Sequence, residues 1–543
     1  MEGSIPPVHA DGSAADYVIV GAGSAGAVLA ARLSEDAGTR VILIEAGGEA
    51  RSPLVQLPVG FARLVGHPAY DWRYPQAPDP SIDGRRFVWS AGKLLGGGSS
   101  INGQVYVRGT RRDYDRWAEA GARGWDYEGV HRYFLKSEDW TGAPHAEHRQ
   151  GGPLTVSPMR GPHPLCADFL DACRESALPR LDDRVGGHLE GAFLTLATQR
   201  DGWRCSTEKA FLRPARRRAN LTVLTGSEVR SIAFDGLRAV GVDVVRDGKA
   251  LRVSARREVI VSAGTIGSAA LLMRSGLGPG ELLQASGIAT RVDLRGVGAN
   301  LQEHPGVGQN KFINVPSLNA QMNALGGLRM ALEFAFGRRG ALGAPAVQAM
   351  ALARTRDDLA EPDVQLHFLP LAYDIEPDTV STASAAMPKE PTMTILATLC
   401  QPHSRGRVEL DAAQQPRIVH RFFGDERDLR TMVAAQKLIA RLFGMPSLAR
   451  RVVADRRPQT PPPDDAAWIR YIRAKAAPAY HPVGTCRMGG DADAVTTPEL
   501  RVRGVEALRV VDASVMPTIP SVNTNAATIM IAEKAADLMR SGA

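Results

Sequence analysis

Cysteine is scarce in this chain of 543 residues, which has five scattered copies, Cys166, Cys173, Cys205, Cys400 and Cys486. They form no CxxC pair and no spacing typical of a metal site. Cys166 and Cys173 would lie about 10 Å apart on a helix, beyond the limit of about 7 Å between the Cα atoms of a disulfide. An odd, scattered set excludes a disulfide-stapled scaffold and predicts reduced thiols in a cytoplasmic protein.

Long hydrophobic runs are also missing. The most apolar stretches, residues 18–31 and 259–273, are shorter than the roughly 20 residues that a membrane-spanning helix needs, and both contain glycine. The first 16 residues have no basic region followed by an apolar core, so they do not resemble a signal peptide. The sequence therefore predicts a cytoplasmic protein without an integral membrane segment.

Lysine contributes little to the charge, because only nine of the 65 basic residues are Lys and the net charge is a modest +7. The densest basic cluster, residues 213–218, is typical of a solvated face rather than a nucleic-acid patch. With 44% hydrophobic and 23% charged residues, the composition is that of an ordinary globular protein. These values exclude a disordered chain and give no support to DNA or RNA binding.

The N-terminal region contains a clear strand–turn–helix–strand pattern. Residues 17–20 are a short β-branched run, GAGSAG follows at 21–26, and the next residues predict a helix that ends near Gly38. VILIEAG at 41–47 predicts a second buried strand. This is a βαβ unit, and it indicates a parallel sheet of the Rossmann type.

The glycines of this unit have the spacing of a dinucleotide-binding turn. Gly21 makes the tight turn, Gly23 lets the backbone approach a pyrophosphate, and Gly26 allows close helix–strand packing. Glu45 lies 24 residues after Gly21, where an acid accepts hydrogen bonds from ribose hydroxyls. An acid there disfavours a 2′-phosphate, so the pattern predicts FAD or NAD rather than NADP.

The choice between these cofactors comes from a second glycine- and serine-rich stretch, GKLLGGGSSINGQVYVRG at 92–109, and from what it resembles. It resembles the first signature of the glucose-methanol-choline (GMC) family of FAD-dependent oxidoreductases, including Tyr106, Gly109 and Asp115. Residues 264–278 resemble the second signature, with Ala269 where the family usually has Pro. Further similar blocks lie at 203–214, 296–305, 480–489 and 509–539.

The resemblance implies an α/β fold with a Rossmann-type FAD-binding domain and a discontinuous substrate-binding domain on a mostly antiparallel sheet. We expect the FAD-binding domain at 13–160, 195–305 and 480–543, and the substrate-binding domain at 161–194 and 306–479. The strand-like runs 364–369, 392–399 and 407–411 are expected in the second sheet, and residues 374–392 and 454–466 are expected to be loops. The first loop is long enough to form a lid, although a plain surface loop is the simpler interpretation.

The resemblance also implies the cofactor contacts. Besides Gly21, Gly23, Gly26 and Glu45, the implied FAD-binding residues are Ser24, Ala25, Ala46, Gly92, Leu95, Gly97, Ser99, Asn102, Gly103, Val105, Val229, Ala263, Asp512, Ala513, Thr524 and Asn525. Asn525 is expected at the start of a helix whose N-terminus stabilises reduced flavin. Asp512 is equally a candidate N-cap. Some relatives attach FAD through a His at the position of Ile101, so this chain is predicted to bind FAD non-covalently.

His481 and Asn523 are the predicted catalytic residues. The unperturbed pKa of histidine suits a base near neutral pH. The resemblance makes His481 the base that takes the hydroxyl proton and Asn523 the hydrogen-bond donor to the developing alkoxide, with hydride passing from the alcohol carbon to flavin N5. His304 is expected to be structural, and His367 is a candidate either for the pocket or for the core. No spacing among the histidines predicts a metal site.

These expectations give an FAD-dependent enzyme that oxidises a small-molecule alcohol to an aldehyde or ketone, with O2 or a quinone-type carrier as electron acceptor. A flavin-containing lyase of the same family is the alternative, followed by an NAD-only dehydrogenase and a catalytically silent nucleotide-binding module. An aromatic cage and a carboxylate would suit choline, and only 6% of the residues are aromatic, which favours a neutral alcohol.

Overall fold

The computed structural model describes residues 14–181, 190–321, 324–372 and 388–542. Two seven-stranded sheets organise this part of the chain. The predicted βαβ unit is confirmed, with strand Ala15–Val20, helix Ser24–Leu33 and strand Val41–Ile44. The helix ends before Gly38, because the Asp36 carboxylate accepts the Gly38 backbone N–H at 3.0 Å and thereby stabilises a turn.

The first sheet is parallel around its centre, where short apolar strands are buried as parallel strands require. In spatial order its strands are Leu221–Leu224, Val41–Ile44, Ala15–Val20, Lys249–Val261, Arg238–Arg246 and Ser227–Asp235, while Leu508–Val510 pairs in parallel with Lys249–Val261. The last strand matters for function, because it brings the C-terminal part of the chain to the edge where the glycine turn lies.

The second sheet is antiparallel throughout. Its strands run in the order Val452–Arg457, Pro305–Ile313, Thr392–Leu399, Val364–Leu369, Ala349–Ala353 and Gly191–Leu194, and Ala477–Pro478 pairs with Pro305–Ile313. Two predictions for this region were wrong. Arg407–Leu410 instead forms a separate hairpin with Pro416–Val419. A hydrogen bond from the Val408 N–H to the Gly298 carbonyl fixes the position of this hairpin. Part of the expected loop 454–466 belongs to the edge strand Val452–Arg457.

Helices and short elements surround the two sheets. The longer helices are Ser24–Leu33, Arg111–Glu119, Tyr127–Ser137, Leu165–Glu175, Gly264–Arg274, Gly280–Ala285, Ala324–Gly337, Glu426–Phe443, Asp465–Lys475 and Asn525–Arg540. The helices of one turn or less are Pro53–Gln56, Pro58–Gly60, Phe61–Leu64, Pro80–Ile82, Gly98–Ile101, Arg213–Ala215, Pro446–Ala449 and Ala513–Val515, and Glu208–Leu212 is a π-helix. The smaller sheets contain Tyr74–Pro75 with Val88–Trp89, Gln199–Arg200 with Trp203–Arg204, Leu277–Gly278 with Val292–Asp293, and Val105–Tyr106, Leu196–Ala197, Leu154–Pro158 and Glu138–Trp140.

The C-terminal helix Asn525–Arg540 packs against the first helix, Ser24–Leu33. A bidentate ion pair fixes them, with Arg32 Nε and Nη2 at 2.8 and 2.7 Å from the two oxygens of the fully buried Glu533. A planar guanidinium matches a carboxylate in this geometry, so the pair orients both helices as well as joining them. Their N-termini consequently lie side by side at the edge of the first sheet.

The predicted domain boundaries remain a prediction, and most of the expected lid, residues 373–387, lies outside the described residues. The first sheet draws its strands from 15–261 and 508–510, and the second draws its strands from 191–478. All five cysteines are buried and unpaired. Within the described residues, no helix combines the length and apolar character needed to cross a bilayer.

Candidate active site

One cavity of about 890 Å³ is lined by both sheets. Its walls include Gly21 at the end of the first strand and Ser262 after the Lys249–Val261 strand. The second sheet contributes Gly306 and Gly308 from one strand and His367 from another. A ligand in this cavity would therefore contact the carboxyl ends of the parallel strands on one side and the antiparallel sheet on the other.

The glycine turn is tight enough to exclude side chains. Gly21 has a φ of +94°, and a Cβ added there would lie 2.4 Å from the Ser262 carbonyl oxygen. A Cβ on Gly26 would lie 1.9 Å from the Gly21 carbonyl oxygen, which confirms close packing of helix against strand. A Cβ on Gly97 would lie 2.7 Å from the Gly23 Cα. The two glycine-rich segments therefore form one continuous backbone wall.

Glu45 lines the cavity beside this turn. Its carboxylate accepts the backbone N–H groups of Ala22 and Gly47, each at 2.8 Å. Burial raises the pKa of Glu45 to about 7, and the two N–H donors act in the opposite direction. A hydroxyl donor reaching this carboxylate would favour its charged form further.

Most of the predicted cofactor residues line the cavity. They are Gly21, Gly23, Ser24, Ala25, Glu45, Ala46, Gly92, Gly97, Asn102, Gly103, Val105, Val229, Ala263, Asp512, Ala513, Thr524 and Asn525. Gly26, Leu95 and Ser99 are not among the lining residues, so their contacts with the cofactor stay a prediction. Leu95 is fully buried in the core, and the Ser99 hydroxyl donates to the Gly96 carbonyl at 2.6 Å, so both support the loop from behind.

Two helix N-termini meet at the cavity. The Ser24 hydroxyl, on the first turn of the first helix, donates to Asn525 Oδ1 at 2.7 Å, on the first turn of the C-terminal helix. The predicted helix start at Asn525 is confirmed. Each N-terminus carries partial positive charge and unpaired N–H groups, which suit an anionic or electron-rich ligand.

Asp512 both caps a helix and lines the cavity, so the two interpretations of this residue are compatible. Its carboxylate accepts the Ser514 N–H at 2.8 Å at the start of a short 3₁₀-helix. It also accepts the Gly264 N–H at 2.9 Å and the Ser268 hydroxyl at 2.5 Å, at the start of the Gly264–Arg274 helix. Burial raises the pKa of Asp512, and these donors oppose that shift.

His481 is held in the cavity wall by its backbone. Tyr480, immediately before it, has a φ of +63°, a left-handed conformation that is uncommon for a bulky residue. The His481 N–H donates to both carboxylate oxygens of Glu303 at 2.9 Å, and the His304 N–H donates to the same carboxylate at 2.9 Å. Glu303 therefore ties the two histidine backbones together, although burial raises its own pKa to about 8.

The side chains of His481, His304 and Asn523 form one hydrogen-bonded chain. His481 Nε2 lies 2.9 Å from Asn523 Nδ2, and His481 Nδ1 lies 3.0 Å from His304 Nδ1. His304 Nε2 lies 3.3 Å from the Cys400 carbonyl oxygen, which only accepts. His304 is consequently protonated at Nε2 and accepts at Nδ1, so His481 carries its proton at Nδ1.

This tautomer leaves a lone pair on His481 Nε2, which faces Asn523. The pKa of His481 lies well below its usual value, because the ring is removed from water and because His304 and His367 lie nearby. Burial likewise lowers the pKa of His304 to about 4. Both rings are therefore neutral at physiological pH, and the cavity side of His481 is basic.

His367 is both a strand residue and a cavity residue. It lies in the Val364–Leu369 strand, its Nε2 is 3.3 Å from Thr398 Oγ1, and its Nδ1 is buried without a partner. Burial lowers its pKa to about 3. The expectation that His304 has a purely structural role missed its contact with His481. The signal in the sequence was the place of His304 in the block 296–305, immediately before the Pro305–Ile313 strand.

The residues present fit a flavin dinucleotide. Buried polar atoms without a partner line the cavity along its length, at Gln104 Nε2, Ser262 Oγ, His367 Nδ1 and Asn523 Oδ1. They are accompanied by the glycine wall, the Glu45 carboxylate and two helix N-termini. A Rossmann-type sheet that shares such a cavity with a second sheet and a buried basic histidine defines a dinucleotide-dependent oxidoreductase.

Comparison with known proteins gives the family. The pattern of the GMC oxidoreductase N-terminal region matches residues 15–306, and that of the C-terminal region matches residues 402–532. The chain belongs to the GMC oxidoreductase family. It binds FAD and oxidises CH–OH donors.

Relatives match along nearly the whole chain. Oxygen-dependent choline dehydrogenase of Photobacterium profundum is 36% identical over 533 residues, covering 96% of this chain and 92% of its own. Alcohol dehydrogenase [acceptor] of Pseudomonas putida is 36% identical over 532 residues, covering 96% and 95%. The crystal structure of pyridoxine 4-oxidase from Mesorbium loti has 30% identity and a TM-score of 0.86, covering 97% of this chain and 99% of that chain.

Proposed function

We propose that this enzyme oxidises a neutral primary or secondary alcohol to an aldehyde or ketone, with His481 as the general base. The observation that carries this proposal is the chain of hydrogen bonds from Cys400 through His304 to His481, which leaves His481 Nε2 as an unprotonated acceptor in the cavity wall. When bound, FAD supplies the acceptor for the two electrons that leave the alcohol carbon as hydride.

His481 takes the hydroxyl proton at Nε2 in this proposal. The proton already at Nδ1 is held by His304, so the ring needs no tautomer change before the reaction. The low pKa of His481 keeps the base unprotonated at neutral pH, while the negative charge that develops on the alcohol oxygen raises its proton affinity during the reaction.

Asn523 orients the alcohol and stabilises its developing alkoxide. Its Nδ2 donates to His481 Nε2 at 2.9 Å in the absence of substrate, and its Oδ1 is buried without a partner. An entering hydroxyl group that binds between these two side chains donates to His481 and accepts from Asn523. The amide has no basic nitrogen, so His481 has no competitor as base within this pair.

The cofactor contacts are part of the proposal. The two glycine-rich segments and the N-terminus of the first helix hold the pyrophosphate, Glu45 holds the ribose, and Asn525 places the C-terminal helix dipole at the flavin. Ile101 lines the cavity at the position where some relatives carry the histidine that binds flavin covalently. FAD is therefore bound non-covalently, and acid precipitation is expected to leave the yellow colour in the supernatant. Colour in the pellet would contradict this.

The substrate end of the cavity favours a neutral alcohol. Among the described strands of the second sheet, the lining residues are Gly306, Gly308, Asn310, His367, Leu369, Thr394, Leu396, Arg457, Ala477 and Pro478. These strands contribute no acidic residue and no Phe, Tyr or Trp to the lining, whereas a quaternary ammonium group is recognised by an aromatic cage and a carboxylate. The strands thus favour a neutral alcohol, and the aromatic and acidic groups that choline would need come from other parts of the lining, at Tyr471, Tyr480 and Asp411. A relative carries the name of choline dehydrogenase, so choline is included in the test below.

The test is anaerobic mixing of the FAD-loaded enzyme with a panel of alcohols that includes choline. Bleaching of the oxidised flavin spectrum by neutral alcohols supports the proposal, and a flavin that no alcohol reduces contradicts it. Admitting air to the reduced enzyme then identifies the acceptor. Rapid reoxidation with formation of hydrogen peroxide indicates O2, and slow reoxidation that a soluble quinone accelerates indicates a quinone-type carrier.

A further inference from the structure

The Ala324–Gly337 helix turns an apolar face to solvent. Exposed fractions are 78% for Leu325, 58% for Leu328, 48% for Leu332 and 88% for Phe336. Of the seven large apolar side chains that are exposed in the described part of the chain, these four belong to this one helix. Spacings of three and four residues place them along a single side of the helix, and we call them the apolar stripe.

The opposite side of the helix anchors it to the protein. Phe334 is buried and packs edge-on against Trp203, with 4.8 Å between the ring centroids. The Arg338 guanidinium lies over the same Trp203 ring at 5.3 Å from its centroid. These contacts fix the orientation of the helix. The apolar stripe therefore faces solvent because of the way the helix packs.

Two exposed arginines flank the apolar stripe, Arg329 on the helix and Arg339 just after it. Between Phe312 and Ala353 the charged residues are Arg329, Glu333, Arg338 and Arg339, an excess of two positive charges. Arg329 is 77% exposed and pairs with Glu333 at 2.9 Å, and Arg339 is also exposed. Leucine and phenylalanine on one side with arginines at the margin are typical of a helix that lies in the headgroup region of an anionic bilayer.

We propose that this helix docks the enzyme on an anionic lipid surface, with the apolar stripe inserted at the level of the headgroups. The helix has 14 residues, too few to span a bilayer but enough to lie in its interface. A second copy of this chain is the less favourable occupant, because a two-fold contact would bring the arginine margins of both copies together. This inference does not depend on the proposed alcohol chemistry.

The placement of the helix gives the contact a consequence for the cavity. Ala346 and Val347, which line the cavity, follow the helix within ten residues of its last residue. A short stretch of chain therefore connects the helix to residues of one cavity wall.

The test uses the FAD-loaded full-length enzyme and sedimentation with vesicles of phosphatidylcholine alone or mixed with phosphatidylglycerol. We expect sedimentation with the mixed vesicles, weaker binding to phosphatidylcholine alone, and release at high salt. Leu328→Glu combined with Phe336→Glu should weaken binding about tenfold or more, because it places charge in the inserted face. Arg329→Gln combined with Arg339→Gln should weaken only the binding that depends on phosphatidylglycerol.

Leu237→Glu is the matched control, since Leu237 is 51% exposed in a hairpin elsewhere on the surface. It should bind vesicles like the unaltered enzyme, and all variants should keep their flavin spectrum and their rate of flavin reduction by alcohol. The proposal is overturned if the unaltered enzyme stays in the supernatant or if Leu237→Glu weakens binding as much as the stripe variant. It is also overturned if the stripe variant dissociates a dimer in sedimentation velocity without changing vesicle binding, because a second copy then covers the stripe.

Discussion

The two ends of the cavity are built in different ways. At the cofactor end, glycine backbone and helix N-termini form the wall, and the buried carboxylates of Glu45 and Asp512 lie among them. At the reaction end, the wall is formed by the imidazole and amide side chains of His367, His481 and Asn523, and His304 contacts His481 from behind. Cofactor binding at the first end depends on backbone that is free of side chains. Catalysis at the second end depends on which side-chain nitrogen atoms carry protons.

This difference predicts separate failures at the two ends. A substitution at the cofactor end should change whether FAD is bound, and a substitution at the reaction end should change how fast bound FAD is reduced. Burial acts on both ends in the same sense, because it favours the neutral form of each titratable group. It raises the pKa of Glu45 and lowers the pKa of His304 and His367.

The largest expected effect is that of His481→Ala. Removing the base should slow anaerobic reduction of the flavin by alcohol about 10²–10⁴-fold, the usual contribution of general base catalysis. The flavin content should stay near that of the unaltered enzyme, because the change lies at the reaction end. Stopped-flow absorbance at the flavin maximum measures the rate, and the spectrum before mixing measures the content. A rate equal to that of the unaltered enzyme would show that another group is the base.

The next effect is that of Gly26→Ala at the cofactor end. The added Cβ would lie 1.9 Å from the Gly21 carbonyl oxygen, and neither backbone can move without disturbing the turn. We expect the free energy of unfolding to fall by about 3 kcal/mol and the bound FAD to be largely lost. Gly48→Ala is the control, since nothing lies within 4 Å of its Cβ position. Chemical denaturation and FAD content of the purified proteins compare the two, and equal losses would contradict the steric argument.

The cofactor end could be predicted from the sequence because its parts are contiguous. Gly21, Gly23 and Gly26 lie within six residues, and the strand and helix on either side follow from local patterns. Of the predicted residues that do not line the cavity, Gly26 packs the first helix against its strand, and Leu95 and Ser99 lie in the same glycine-rich segment as residues that do line it. A sequence motif marks such a loop without showing which of its side chains turn towards the core.

The reaction end could be predicted only in part, because its contacts are non-local. His304 and His481 are 177 residues apart and meet only when the Ala477–Pro478 strand pairs with Pro305–Ile313. The family resemblance pointed to His481 and Asn523. The sequence around these two residues does not indicate that the His304 imidazole contacts His481. The error at 407–411 has the same origin, since an alternating strand pattern gives no information about which sheet the strand joins.

His304→Leu tests the proton arrangement at the reaction end with a smaller expected effect. The variant loses the acceptor that holds the Nδ1 proton of His481, so flavin reduction should slow by about tenfold, as when a group that orients a catalytic residue is removed. The main cause of the low pKa of His481, removal of its ring from water, remains in this variant, so the pKa should stay below its usual value. The base is active above its pKa, so the rate should be reduced by a similar factor across the neutral pH range.

His304→Gln is the matched variant, because its amide can accept from His481 and donate to the Cys400 carbonyl as His304 does. We expect it to restore most of the rate. The measurement is the rate of anaerobic flavin reduction as a function of pH for both variants. Equal rates and equal pH profiles for the Leu and Gln variants would mean that His304 fills space and does not orient the base.

The smallest expected effect concerns the pH dependence of FAD affinity, and it sharpens the contrast between the two ends. The pKa of Glu45 is about 7 in the chain without FAD, and ribose hydroxyls that donate to the carboxylate favour its charged form. The complex therefore holds Glu45 deprotonated, and below its free pKa FAD binding must release a proton. Affinity should consequently be constant above about pH 7 and fall below it by up to about tenfold per pH unit.

Titration of the deflavinated protein with FAD, followed by the quenching of flavin fluorescence, measures this dependence. Glu45→Gln keeps an oxygen acceptor of the same shape and cannot titrate, so its affinity should be lower at neutral pH but independent of pH over the same range. His481→Ala should retain the full pH dependence, because its imidazole belongs to the reaction end. If His481→Ala flattened the profile and Glu45→Gln did not, the two ends would share their protons, and the division between a cofactor end and a reaction end would have to be abandoned.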